Sequence, residues 1–233
     1  PPAADPPPLA ARPTAPPGSA GGRLRSLPPG GRRAGRQGWW RYHAGVDRLA
    51  ELRTEALSCT RCGLAAGRTQ VVFGVGDPHA ALFIVGEGPG REEDLRGEPF
   101  VGRSGQLLDT LLRQEMGLDR SQCYIGNVVK CRPPGNRDPR PEEIAACRPY
   151  LDEQLRLVAP KVIVTLGNFA TRTLLGTDEG IKRLRGRVHA LGDVAVVPTF
   201  HPAAALRGGA EVVAQMRADL VRAKGLLLGA VAS

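Results

Sequence analysis

Residues 81–85 read Ala-Leu-Phe-Ile-Val and run straight into Gly86-Glu87-Gly88-Pro89-Gly90, then Glu92, Glu93 and Asp94, ending at Pro99-Phe100-Val101-Gly102. The apolar run predicts a buried strand. Ser104-Gly105-Gln106-Leu107-Leu108-Asp109-Thr110-Leu111-Leu112, just beyond, predicts a helix. A strand that turns through glycines into a helix is the unit of an α/β fold, and such folds bind ligands at the carboxyl ends of their strands. Glycines there let a backbone approach a ligand closely. The turn is not a Walker loop, because no Gly-Lys-Ser/Thr follows. A proline and a long acidic loop before the helix also set it apart from the dinucleotide fingerprint. It presents the carboxylate of Glu87 and an aromatic, Phe100, that can stack on a planar ligand.

The same alternation continues outward from this stretch. Val46 to Leu57 has helical spacing and leads into Cys59-Thr60-Arg61-Cys62, after which Gln70-Val71-Val72-Phe73 predicts a short edge strand. Cys123 to Val129 predicts a second strand, followed by a proline-rich loop over 130–139. Pro141 opens a helix through Val158, with proline in the first turn where helices accept it. Lys161 to Leu166 is a third strand that turns at Gly167-Asn168 into a short helix. Residues 188–191 and 194–197 form a hairpin around Gly192-Asp193, and a last helix runs from about Glu211 to Leu228. Strands alternating with helices predict a parallel sheet covered on both faces.

The chain has 233 residues and a net charge of +9, and arginine makes up most of its 32 cations. Arginine pairs bidentately with phosphate, so a polyanionic partner is the first to consider. No apolar run approaches the ~20 residues of a membrane span. The N-terminal residues lack the apolar core of a signal peptide, which predicts a cytoplasmic protein. Residues 1–40 hold ten of the 21 prolines together with six arginines and one acid. They predict a disordered tail, unable to bury enough apolar area to offset its ordering entropy.

Five cysteines in a reducing compartment point to metal rather than disulfides. Cys59 and Cys62 form a CxxC, and Cys131 and Cys147 form a wider pair. Four soft ligands suit zinc or an iron–sulfur cluster. Either would clamp the first helix to the loop after the second strand. Cys123, on a strand among apolar residues, reads as core packing.

Glu87 and His201 lie just past strand ends and Asn127 near one, and in a parallel sheet those ends share one edge. With Phe100 they supply a carboxylate, an imidazole, an amide and a stacking face. A pyrimidine base extruded from DNA is read by such a set. Singly, each has a structural alternative: Asn127 can satisfy a strand-end backbone group, and His201-Pro202 can be a turn.

Three segments in this order, GEGPGREEDLRGEPFVGRSGQLLD (86–109), YIGNVVKCRPPGNRDPRPEEIAACRPY (124–150) and HPAAALR (201–207), closely resemble the family 4 uracil-DNA glycosylases, the iron–sulfur type. The likeness covers about residues 46 to 228. It implies one domain over 41–230, of three-layer α/β type, with a central, mostly parallel four-stranded sheet flanked by helices. It further implies a [4Fe–4S] cluster on Cys59, Cys62, Cys131 and Cys147. The partner it implies is uracil-containing DNA, bound by a monomer without a membrane, with the protein acting at the nucleoid. Under this resemblance Gly88, Phe100 and Asn127 bind uracil, while Glu87, His201 and Glu93 are the catalytic candidates. Lys130, Arg132 and Arg207 are candidates for phosphate contacts. A related subgroup traps DNA covalently through a histidine in an insertion of the loop after the asparagine motif. Here that loop reads CRPPGNRDPRPEE and contains no histidine, which favours turnover over a protein that only holds damaged DNA.

Overall fold

Leu82, Phe83, Ile84 and Val85 are each at most 1% exposed, so the strand they form is covered on both faces. In the computed structural model, which describes residues 35–229 and the side chains from residue 46 onward, the first half comprises α1 (Gly35–Leu57), β1 (Val75–Gly76), β2 (Leu82–Gly86), α2 (Arg91–Arg96), α3 (Arg103–Leu111) and β3 (Tyr124–Asn127). The second half comprises α4 (Pro141–Val158), β4 (Val162–Leu166), α5 (Gly167–Leu175), α6 (Ile181–Leu184), β5 (His189–Leu191), β6 (Val194–Thr199) and α7 (Pro202–Leu227). One sheet has the order β1-β3-β2-β4-β6-β5. Its centre, β3-β2-β4-β6, is parallel, and β1 and β5 close the two edges antiparallel. The expected four-stranded parallel core is therefore present, with one short strand added at each side.

Successive strand residues point to opposite faces, and this divides the interior in two. Phe83 and Val85 pack with Leu52 and Ala56 of α1, Tyr150 and Leu151 of α4 and Leu174 of α5. Leu82 and Ile84 pack with Leu108 and Leu111 of α3 and with Met216 and Leu220 of α7. The result is three layers, helix–sheet–helix, and it exposes only the loop-bearing edges of the parallel strands.

Four local expectations change. Residues 71–73 are buried but not a strand; Val72 N–H donates once to Lys130 O (2.8 Å), and the edge strand is Val75–Gly76. Only glycine can sit at position 76, because a Cβ there would lie 1.8 Å from Cys123 O. The expected acidic loop after the Gly86–Gly90 turn is instead the helix α2. Its acids Glu92, Glu93 and Asp94 occupy the first turn, favourable to the helix dipole, and Gly97 (φ 72°) ends it in the left-handed conformation. The last helix begins at Pro202, although Gly209 (φ 70°, ψ −158°) interrupts it, so the regular stretch starts close to the expected Glu211. α1 begins at Gly35, well before Val46, for the residues preceding Val46 contain no proline to stop it. Of the expected tail over 1–40, residues 1–34 lie outside the described residues.

Candidate functional site

β2, β3 and β6 end together. Gly86 pairs with Asn127 at the last rung of the β2–β3 ladder. The pairing continues past it, with Val128 N–H donating to Gly86 O (2.9 Å) and Val129 N–H to Glu87 O (3.1 Å), so the backbone of Glu87 is fixed. β6 delivers His201 to the N-cap of α7, where its Nδ1 accepts from Ala203 N–H (3.2 Å). Nδ1 is thereby the unprotonated nitrogen, and a neutral ring carries its proton on Nε2. Glu87, Gly88, Glu93, Phe100, Asn127, His201 and Arg207 line one cavity of about 410 Å³.

The Phe100 ring sits 5.7 Å from that of His201, tilted by 33°. Its backbone lies in the left-handed region (φ 55°), uncommon for a bulky residue, and its neighbours hold it there. Arg120 donates to Phe100 O (3.0 Å) and Pro99 O (2.7 Å). Glu93 Oε1 accepts from Val101 N–H and Gly102 N–H, both at 3.0 Å. Gly86 must lack a side chain, because a Cβ would come within 2.4 Å of both Asn127 Oδ1 and Phe100 Cζ. The glycine of the opening motif is therefore what lets the amide and the aromatic approach one backbone.

Asn127 is 1% exposed, and both its Oδ1 and Nδ2 are buried without a hydrogen-bond partner. Leaving such a group unpaired costs about 1–3 kcal/mol. Burial pushes the Glu87 carboxyl up to about 7, and the Asp138 carboxylate adds to the effect. Burial draws the His201 imidazole down to about 4, with Arg207 acting the same way and Glu93 opposing. At neutral pH the cleft thus holds a neutral imidazole and a carboxyl poised to gain or lose a proton.

Of the basic candidates, Arg207 is exposed at the rim and Arg132 is half-buried, its Nε donating to Asn136 Oδ1 (2.6 Å). Lys130 is not a phosphate contact. It is 1% exposed, and its ammonium donates inward to Asn127 O (2.7 Å) and Gln154 Oε1 (2.5 Å). The sequence reading missed Arg137, which lines the cleft and is held by Glu143 through bonds of 2.9 and 2.6 Å. The signal available was its place in the same Pro-Gly-Asn loop, with Glu143 in the first turn of α4.

Cys59, Cys62, Cys131 and Cys147 line a second, small cavity with Arg61, Arg68 and Lys130. Arg68 donates to Cys59 O (2.6 Å) and to Cys131 Sγ (3.5 Å). Burial pushes the Cys131 thiol up to about 11 against the pull of Arg68, and raises Cys147. Among the described residues no group of three or more His, Cys, Asp or Glu side chains closes round a single metal ion; the four thiols are spread about a cavity. Four soft donors in a cationic surround fit a cluster held by Cys₄. Cys123 is elsewhere, fully buried in the core on the other face of the sheet, where burial pushes its thiol up to about 12, with Asp109 and Asp119 adding to the shift. Among the described residues no helix is long and apolar enough to cross a membrane.

The model of the Uracil DNA glycosylase superfamily matches residues 73–221. The type-4 uracil-DNA glycosylase of Sulfurisphaera tokodaii is 45% identical over 169 residues, which span 69% of this chain and 77% of that one. The type-4 enzyme of Thermotoga maritima is 48% identical over 164 residues, spanning 69% and 85%. A type-5 uracil-DNA glycosylase of Pyrobaculum aerophilum is more distant, 32% identical over 145 residues, spanning 54% and 63%. On this match and these identities, the chain belongs to the uracil DNA glycosylase superfamily, in its type-4 branch.

Proposed function

We propose that the cleft receives a deoxyuridine extruded from DNA and hydrolyses its N-glycosidic bond, releasing uracil and leaving an abasic site. The observation that carries this reading is Asn127, whose amide is buried with both polar atoms unpaired beside Phe100. An amide donates through nitrogen and accepts through oxygen, which matches the O4 and N3–H of uracil and mismatches cytosine. Phe100 stacks on the base. As the C1′–N1 bond breaks, its electron pair passes to the uracil ring and the sugar becomes cationic. His201 Nε2–H donates to the developing negative charge on O2, a preorganised interaction that strengthens only in the transition state. Glu87 faces the sugar side, where it stabilises the cation and accepts the proton of the water that adds to C1′. Glu93 acts through the loop it holds, keeping Phe100 and the start of α3 in place. Arg137 and Arg207, which line the cleft, suit the flanking phosphates, and Arg132 lies in the loop that carries Arg137.

Cys59, Cys62, Cys131 and Cys147 would hold a [4Fe–4S] cluster. When bound, the cluster serves as a crosslink between the segment after α1, the loop after β3 and α4.

Incubation with uracil-containing oligonucleotides followed by alkali tests the reaction. Strand scission at uracil, absent with thymine in its place, is expected; intact strands after prolonged incubation refute the reading. Iron analysis tests the cofactor: about four irons per chain, retained in Cys123→Ser and lost in Cys131→Ser, are expected. A colourless protein carrying one zinc overturns it.

A further inference from the structure

Lys130 lines the cysteine-walled cavity and reaches the other through Asn127. Cys131 follows it directly in the chain, and the thiols of Cys131 and Cys147 act electrostatically on its ammonium. Its ammonium meanwhile holds the carbonyl of Asn127, the residue whose amide faces the base (2.7 Å). Its other partner, Gln154, is fully buried and is itself tied down, Nε2 donating to Phe73 O (2.9 Å) and to Tyr124 Oη (3.2 Å). Both hydrogen-bond acceptors of this ammonium are neutral, yet a buried cation needs an opposing charge or it is costly. The anionic groups next to it are the thiolates that Cys131 and Cys147 become on binding a metal centre, since a coordinating thiol is deprotonated outright.

We propose that Lys130 is a positioning residue joining the two sites: it neutralises part of the cluster's negative charge, and with the same ammonium it fixes the strand end from which Asn127 reads uracil. This rests on the function proposed above. It explains why a lysine one residue from a ligand cysteine points inward, and why Gln154 of α4 reaches across to meet it. It also assigns the cluster a consequence beyond crosslinking, because assembly of the centre completes the charge balance under the uracil pocket.

The test uses the iron-loaded full chain and has two readouts besides turnover: the reduction potential of the cluster, and inhibition by free uracil. Lys130→Met keeps the length and removes the charge. A lower potential is expected, because loss of a nearby cation disfavours the added electron. Uracil inhibition should weaken about tenfold or more, as for loss of a charge-assisted hydrogen bond, while affinity for DNA carrying an abasic-site analogue stays unchanged. A merely structural lysine would alter melting and leave both readouts in place, and that result overturns the proposal. Should Lys130→Met fail to fold, Gln154→Glu supplies a carboxylate beside Lys130, and the potential should again fall; an unchanged potential overturns the proposal. If wild-type protein contains no iron or is not inhibited by uracil, the failure lies with the proposed function instead.

Discussion

Asn127 and Asp219 are equally hidden, at 1% and 0% exposure, and are treated in opposite ways. Asp219 on α7 is saturated. Arg185 grips it with bonds of 2.9 and 3.0 Å, Gly186 N–H adds one at 3.2 Å and Arg222 another at 3.4 Å. The same Arg185 lies over the ring of Phe200 (5.6 Å), just before His201. Asn127 has a satisfied backbone and a side chain with no partner at all. Buried polar groups that hold a fold together are paired, because an unpaired one is destabilising. On the proposed function, Asn127 is left unpaired because its partner is the incoming base.

If Asp219 is structural, removing it should give the largest effect. Asp219→Ala leaves Arg185 without its counter-ion, and denaturant unfolding should show a loss of about 3–5 kcal/mol. A loss under about 1 kcal/mol would erase the contrast. His201→Ala should do the reverse, costing only the cap of α7, about 1 kcal/mol, while lowering the single-turnover rate on fully bound DNA by about 10²–10³-fold. A wild-type rate would mean that the leaving uracil is stabilised elsewhere.

One side of this contrast was legible in the sequence. Glu87, Asn127 and His201 each follow or end an apolar run, and a parallel sheet places such positions at one edge, so their convergence followed from pattern alone. Lys130 was not legible. Beside Cys131 and Arg132 it reads as one more surface cation, and nothing local reveals that Gln154 sits opposite it. The Asp219–Arg185 pair was equally hidden, since its partners lie far apart in sequence and on separate elements. The acidic segment misled for another reason: charge in 92–94 suggested a loop, whereas carboxylates in a first helical turn are stabilising. Glu93 is then buried by its bonds to backbone N–H groups, which only tertiary structure supplies. The four cysteines were expected at one site from their number and pairing, and the family likeness only chose the [4Fe–4S] cluster over zinc.

The third way to break the comparison is Asn127→Leu. Replacing an unpaired polar group by an apolar one of similar shape is neutral or stabilising. The variant should therefore be as stable as the wild type or more so, by up to about 1–3 kcal/mol, and unable to select uracil. Gln154→Leu, which removes satisfied bonds, should instead lose stability. If both destabilise alike, Asn127 has partners in solution, and its emptiness is no mark of function.

The last expected effect is on pH dependence. Glu87 has its carboxyl raised to about 7, chiefly by burial, so the folded state keeps a proton that the unfolded chain releases near 4.5. Between those values the folded state binds more protons, and stability falls as pH rises through the window. Glu87→Gln removes that dependence. The variant should match the wild type near pH 4 and become the more stable of the two above pH 7. Activity should run the other way. The proposed mechanism needs a carboxylate at the sugar, so the single-turnover rate of the wild type should climb with pH and level off above about 7. The Gln variant should be slower and flat there. His201, lowered to about 4, is neutral above about pH 5 and adds no step to the rise toward 7. Parallel pH–rate profiles for the two proteins would move the rising limb to another group, and Glu87 would then join the residues that shape the cleft without acting in it.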